Sequence, residues 1–165
     1  EVVRIISSVA GALDYAHASG SVHQDIKPAN IMILNNGEIK VADFGIARVI
    51  ASSKTQTGVI MGTPSYMSPE QIAGQKVDGT SDLFSLGVVF FELLTGEKPF
   101  AGDSIATLIY NITSTPPPSV REMVPDLPEQ FETIIGKLLA KDKSQRYQRG
   151  KELVDDLQEL MKVVS

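Results

Sequence analysis

His23-Gln24-Asp25-Ile26-Lys27-Pro28-Ala29-Asn30 gathers a histidine, a carboxylate, an ammonium and two amides into eight residues around one large aliphatic side chain, Ile26. A run this polar reads as a loop, and its neighbours on either side say what it joins. Upstream, Val2, Ile6, Val9, Leu13 and Ala16 recur at spacings of three and four. That period predicts an amphipathic helix over residues 1–18, closed by Gly20 as a left-handed cap. Downstream, Ile31-Met32-Ile33-Leu34 and the apolar run at 39–42 flank Asn36-Gly37. Two short apolar runs about that dipeptide predict a β hairpin with a tight turn.

From residue 45 to 69 nothing is periodic, and Ser, Thr and Gly abound. A loop of this length usually has a task. The second half reads as helical. Thr80 or Ser81 can cap a helix running to Thr95, with Gly96 after it and Pro99 beyond. Its apolar residues, from Leu83 to Leu94, surround the axis on every side, which places it at the centre of the core. Asp103 is the expected cap of a helix to about Thr113, and Pro116-Pro117-Pro118 forces an extended connector. Phe131, Ile134, Ile135, Leu138 and Leu139 predict one more amphipathic helix; Leu153, Leu157, Leu160 and Val164 predict the last. The expected fold is mainly α: a helical bundle around a buried central helix, with one small β hairpin near its N-terminal side and no internal repeat.

The 165 residues are 42% hydrophobic and 21% charged, an ordinary soluble-domain balance and enough for one core. Acidic residues outnumber basic ones, 20 to 15, giving a net charge of −5, and no Lys/Arg block could follow a phosphate backbone. Nucleic acid and acidic substrates are therefore not expected partners. The absence of cysteine removes disulfides and thiolate metal sites and fits a reducing compartment. The longest apolar stretch contains Glu92 and is far shorter than the ~20 residues of a membrane span. The opening residues carry no signal-peptide pattern and read as the inside of a helix, as though cut from a longer chain. The expected location is cytoplasmic, and a membrane anchor outside residues 1–165 is compatible with it.

The polar loop is followed by Asp43-Phe44-Gly45 after the hairpin, and by Gly62-Thr63-Pro64-Ser65-Tyr66-Met67-Ser68-Pro69-Glu70 after the long loop. Each piece alone is weak. Their order and spacing together resemble the protein-kinase signature: a catalytic loop at 23–30, the magnesium-binding triplet at 43–45, and an activation segment at 43–70. The resemblance covers all 165 residues and implies the C-terminal lobe of a Ser/Thr protein kinase. Phosphoryl transfer needs little covalent work from the protein and much positioning and charge neutralisation, which suits these residue types. By resemblance, Asp25 accepts or orients the proton of the substrate hydroxyl. Lys27, two residues along an extended loop and so on the same side, sets a positive charge against the moving phosphate. Asn30 and Asp43 hold magnesium on ATP, and Met32 lies beneath the adenine. Thr63 ties the activation segment to Asp25 and Lys27. Glu70 with Arg146, in a partially buried ion pair, and Asp82, accepting from the catalytic-loop backbone, are scaffold. The same analogy packs His23 against Phe44, and His17 is likewise read as structural. Lys27-Pro28 speaks for Ser/Thr over Tyr substrates. Glu92 has two open readings, a receiver for basic residues of a peptide substrate or half of a salt bridge in the core.

The chain departs from the pattern at Gln24, where most kinases regulated on the activation loop carry Arg; a neutral amide does not replace a guanidinium in a bidentate contact with phosphate. Thr55 and Thr57 resemble the paired threonines that bacterial Ser/Thr kinases autophosphorylate, and with the wording of residues 62–71 they suggest a bacterial source. No two glycines lie two residues apart, so residues 1–165 hold no GxGxxG loop and no Val-Ala-Ile-Lys strand. The expectation is a truncated kinase lacking its N-terminal lobe, inactive or nearly so alone. Its expected partners are that lobe and Ser/Thr protein substrates, with self-association through the exposed interlobe face around Met32. The competing expectation is a pseudokinase-like module that binds proteins without catalysis.

Overall fold

The computed structural model describes residues 1–42 and 64–164. Helix α1 spans Val2–Ala18 and buries Ile5, Ile6, Val9, Ala10 and Leu13. Its end is a Schellman motif: Gly20 N–H bonds the His17 carbonyl and Ser21 N–H the Ala16 carbonyl, with Gly20 at φ +85°. A glycine is needed there because a Cβ disfavours that conformation.

The polar loop ends in a 3₁₀ turn, Pro28–Asn30, which leads into β1 (Ile31–Ile33). Strand β2 (Ile39–Val41) pairs antiparallel to it, Ile31 opposite Val41 and Ile33 opposite Ile39. The turn places Gly37 at φ +86°, while Asn36 keeps negative φ. Leu34 and Gly37 close a four-residue turn inside the Leu34–Glu38 hydrogen bond. This is a three-residue loop with a left-handed glycine, not a two-residue turn centred on Asn36-Gly37.

After a 3₁₀ turn at Pro64–Tyr66 come α2 (Pro69–Ile72) and the long helix α3 (Gly79–Thr95). Helix α3 is buried on all sides from Thr80 to Phe91. Phe84, Leu86, Val88, Phe90 and its other apolar residues up to Phe91 are 0–1% exposed, each contributing roughly 2 kcal/mol of burial. The wrap stops in the last turn, where Leu93 is 40% exposed. The cap is Asp78, not Thr80 or Ser81: its carboxylate accepts both the N–H and the hydroxyl of Thr80, and Ser81 turns its hydroxyl to Glu70 instead.

Helix α4 (Ile105–Ser114) is capped by Ser104, whose hydroxyl accepts from Thr107 N–H, so the cap lies one residue past Asp103. A short helix α5 (Val120–Met123) follows the proline connector. Helix α6 (Glu129–Leu138) buries Phe131, Ile134, Ile135 and Leu138, and its Phe131 meets Phe90 edge to face. Helix α7 (Gly150–Val164) buries Leu153, Leu157 and Leu160 but leaves Val164 exposed. Helix α3 is the axis: α1 packs on it from one side and α6 from another, while α7 lies across α1. No helix among the described residues is long and apolar enough to cross a membrane.

Candidate active site

Asp82, in the first turn of α3 and 1% exposed, is the point from which the polar loop hangs. One carboxylate oxygen, Oδ2, accepts from the backbone N–H of His23 at 2.8 Å and meets Nε2 of His17 at 2.8 Å. The other, Oδ1, accepts from the backbone N–H of Gln24 at 2.8 Å. His23 is fully buried and carries the restraint onward. Its Nδ1 accepts from Asp25 N–H at 3.0 Å, so the proton sits on Nε2, which donates to the Ala42 carbonyl at 2.5 Å. Ala42 N–H in turn donates to the Asn30 carbonyl at 2.8 Å. Both backbone groups of the residue before Asp43 are thus tied to the polar loop.

Gln24 sits at φ +71°, where no other described residue except glycine is found. A left-handed conformation costs a non-glycine residue about 1–3 kcal/mol and persists where surrounding contacts fix it. It turns the chain so that Asp25 points out of the loop with its side chain 48% exposed. Lys27 has an extended backbone, φ −161° and ψ 163°, which sets it on the same side as Asp25. Its Nζ lies 3.5 Å from Asp25 Oδ2. Asn30 is buried and donates its amide to the Asp25 carbonyl at 2.7 Å and to Asp25 Oδ2 at 3.3 Å. A carbonyl can only accept, so the orientation of the Asn30 amide is fixed and Oδ1 is the atom it offers to any other group.

Asp25, Lys27 and Asn30 therefore converge on one carboxylate oxygen at the surface. Met32 follows on β1, 49% exposed and paired across the hairpin with Lys40; Ile33 beside it is 55% exposed. Asp43, Phe44, Thr55, Thr57 and Thr63 lie outside the described residues. Among those described, no three His, Cys, Asp or Glu residues cluster as a metal site. A hollow of about 370 Å³ lies between α1 and α7, lined by Arg4, Leu157 and Met161, on other elements than the Asp25 loop.

Glu70 and Arg146 meet in a bidentate pair, 2.7 and 2.9 Å, and the pair is wholly buried, with side-chain exposures of 3% and 0%. Burial would raise the Glu70 carboxyl, but hydrogen bonds from Arg146 and Ser81 outweigh it and hold it below the ordinary carboxylate value. Arg146 also donates to the carbonyls of Thr80, Ala140 and Lys141, and lies 4.9 Å over the Phe84 ring. Glu92 accepts from the Tyr66 hydroxyl at 2.5 Å and enters no salt bridge among the described residues. Lys98 stands over the Tyr66 ring instead.

Two contacts have no local sequence signature. Lys141 donates to the Asn111 and Ile112 carbonyls at the end of α4 and sits 3.9 Å over the Phe100 ring. Burial, with the Arg146 charge adding to it, pushes its ammonium down to about 8. His17 reaches Asp82 across 65 positions of chain; only its place near the end of α1, facing the core, hinted at it.

An exposed carboxylate flanked by an ammonium and an oriented amide thus stands on a loop slung from a buried central helix. The chain belongs to the protein kinase domain family, whose model matches residues 1–159. It is 45% identical over 160 residues to the serine/threonine-protein kinase PknB of Mycolicibacterium smegmatis, covering 94% of this chain and 25% of that protein. It is 44% identical over 160 residues to the probable serine/threonine-protein kinase PknB of Bifidobacterium longum, covering 93% and 23%. The chain thus spans about a quarter of the length of these relatives. Among solved structures, the PknI kinase domain of Mycobacterium tuberculosis superposes with a TM-score of 0.72 at 30% identity, covering 96% of this chain and 54% of that one. A double mutant of the same domain gives 0.74 at 31% identity, covering 96% and 55%.

Proposed function

We propose that this chain is the catalytic, substrate-facing lobe of a Ser/Thr protein kinase that moves the γ-phosphoryl group of ATP to Ser and Thr hydroxyls of proteins. The convergence of Lys27 Nζ and Asn30 Nδ2 on Asp25 Oδ2 carries this reading. Asp25 orients the acceptor hydroxyl and takes its proton as the oxygen–phosphorus bond forms and the bond from the γ-phosphorus to the bridging oxygen of ADP breaks. Lys27, close enough to Asp25 to serve the same acceptor, offers its ammonium to the phosphoryl oxygens during transfer. Asn30 presents Oδ1 and Asp43 a carboxylate, hard oxygen ligands suited to magnesium. Magnesium, when bound, neutralises charge on the phosphate oxygens.

Met32 supports the adenine ring from below, and Thr63 links the activation segment to Asp25 and Lys27. Thr55 and Thr57 are the phosphorylated positions, without the usual arginine receiver because Gln24 stands in its place. The glycine-rich loop and strand lysine absent from residues 1–165 belong to another part of the intact protein, an N-terminal lobe that covers Met32 and Ile33. Without that lobe, residues 1–165 are inactive or nearly so and self-associate through this face. The lobe works in the cytoplasm.

The intact protein, given ATP, magnesium and a protein substrate bearing Ser, Thr and Tyr, is expected to yield phosphoserine and phosphothreonine on acid hydrolysis, while residues 1–165 alone yield almost none. Phosphotyrosine alone, or no transfer by the intact protein, would refute the reading.

A further inference from the structure

Ser68-Pro69-Glu70-Gln71 opens helix α2 as a reciprocal capping box. Ser68 Oγ accepts from Gln71 N–H at 3.3 Å, and Gln71 Oε1 accepts from Ser68 N–H at 2.9 Å and from its hydroxyl at 3.2 Å. Glutamate serves this position as well as glutamine, because the box asks only for an acceptor. Gln71 uses its other end too. Nε2 donates to the backbone carbonyl of Gln24 at 2.8 Å, across 47 positions of chain. A glutamate cannot make that bond.

Gln24 is the left-handed residue immediately before Asp25. Its N–H is held by Asp82 from α3, and its carbonyl by Gln71 from α2. Two elements thus grip the two peptide groups that set the direction of Asp25. Building on the kinase reading above, we propose that Gln71 is a positioning residue for the catalytic carboxylate, coupling the end of the activation segment to the loop that carries Asp25. The acceptor end of its amide serves helix α2, and the donor end serves catalysis.

The two ends separate by substitution in the intact kinase. Gln71→Glu keeps the acceptor and loses the donor; Gln71→Lys keeps a donor and loses the acceptor. If position 71 were only a helix cap, Q71E would behave as the parent and Q71K would be the weaker enzyme. The proposal expects the reverse. Q71E should lose about tenfold or more in kcat with the KM for ATP within about twofold and the melting temperature within about 2 °C. Q71K should melt lower while keeping most of kcat. Gln71→Leu, with neither donor nor acceptor, covers a Q71E protein that does not fold, and is expected to lose turnover as Q71E does. Equal losses in Q71E and Q71K, the opposite ranking, or parental turnover in Q71L would overturn the proposal. A parent that transfers no phosphate overturns the kinase reading and this proposal together, whereas equal transfer by parent and Q71E overturns the proposal alone.

Discussion

Replacing Arg146 with methionine tests how the lobe is held together. Methionine fills much of the same space but leaves Glu70 as a charge 3% exposed without its guanidinium, the Ser81 hydroxyl still donating to it. Deleting one member of a buried pair costs about 3–5 kcal/mol. The carbonyls of Thr80, Ala140 and Lys141 lose a donor as well, at about 1 kcal/mol each if independent. These losses overlap, since all fall on one side chain, so the expected total is about 4–5 kcal/mol. That is a large part of the 5–15 kcal/mol typical of a domain. With a urea dependence of about 2 kcal/mol per molar, the midpoint of unfolding followed by circular dichroism should fall by about 2 M. Removing the stranded charge in the double variant E70M/R146M should recover about half of the loss or more. The sign with pH follows from the depressed Glu70 carboxyl. Its contribution is present above the ordinary value of 4.5 and is lost as pH falls through the folded value, so parent and R146M should converge in acid. A loss below about 1 kcal/mol, or a double variant less stable than R146M, would refute the reasoning.

Asp82→Asn puts an N–H₂ group where a carboxylate oxygen now accepts from the loop. It is expected to cost about 1–3 kcal/mol in thermal unfolding and to lower kcat in the intact kinase, because Gln24 or His23 loses its anchor; unchanged stability would contradict the anchoring role. Lys141 gives a pH signature of its own. With its ammonium lowered from 10.5 to about 8, the unfolded chain binds more protons between those values, so stability should rise as pH increases from about 8 toward 9.5. Lys141→Met should flatten that rise, and the same slope in K141M and parent would rule out Lys141 as its source.

The sequence discloses the elements whose causes are local. The three-and-four spacing of Val2 through Ala16 predicts α1 as an amphipathic helix, and the apolarity of Leu83 through Leu94 sets α3 at the centre, although its last turn is exposed at Leu93. Local propensity misplaced the caps because neighbouring polar residues compete. Thr80 and Asp103 are sound cap types, yet Asp78 and Ser104 hold the extended backbone at the helix entry. Helices α2 and α5 have four residues each and offer too little length for periodicity to register. The site divides in the same way. Asp25, Lys27 and Asn30 come together because six consecutive residues of one loop hold them. The grip of Asp82 and Gln71 on that loop, and of His17 on Asp82, joins residues 47 to 65 positions apart, which no local pattern encodes. Lys141 was invisible for the same reason, since its partners are carbonyls and a ring brought by α4 and the chain before it.

The role of Asp25 is most directly tested by rapid-quench, single-turnover phosphoryl transfer in the intact kinase and its Asp25→Asn variant, with ATP binding measured in parallel. Asparagine keeps the shape and an acceptor oxygen but cannot take the proton. The rate of transfer is expected to fall by about 10²-fold or more, with ATP affinity within about twofold. A variant that transfers phosphate at the parental rate would show that the carboxylate on which Lys27 and Asn30 converge is not the group that handles the acceptor proton.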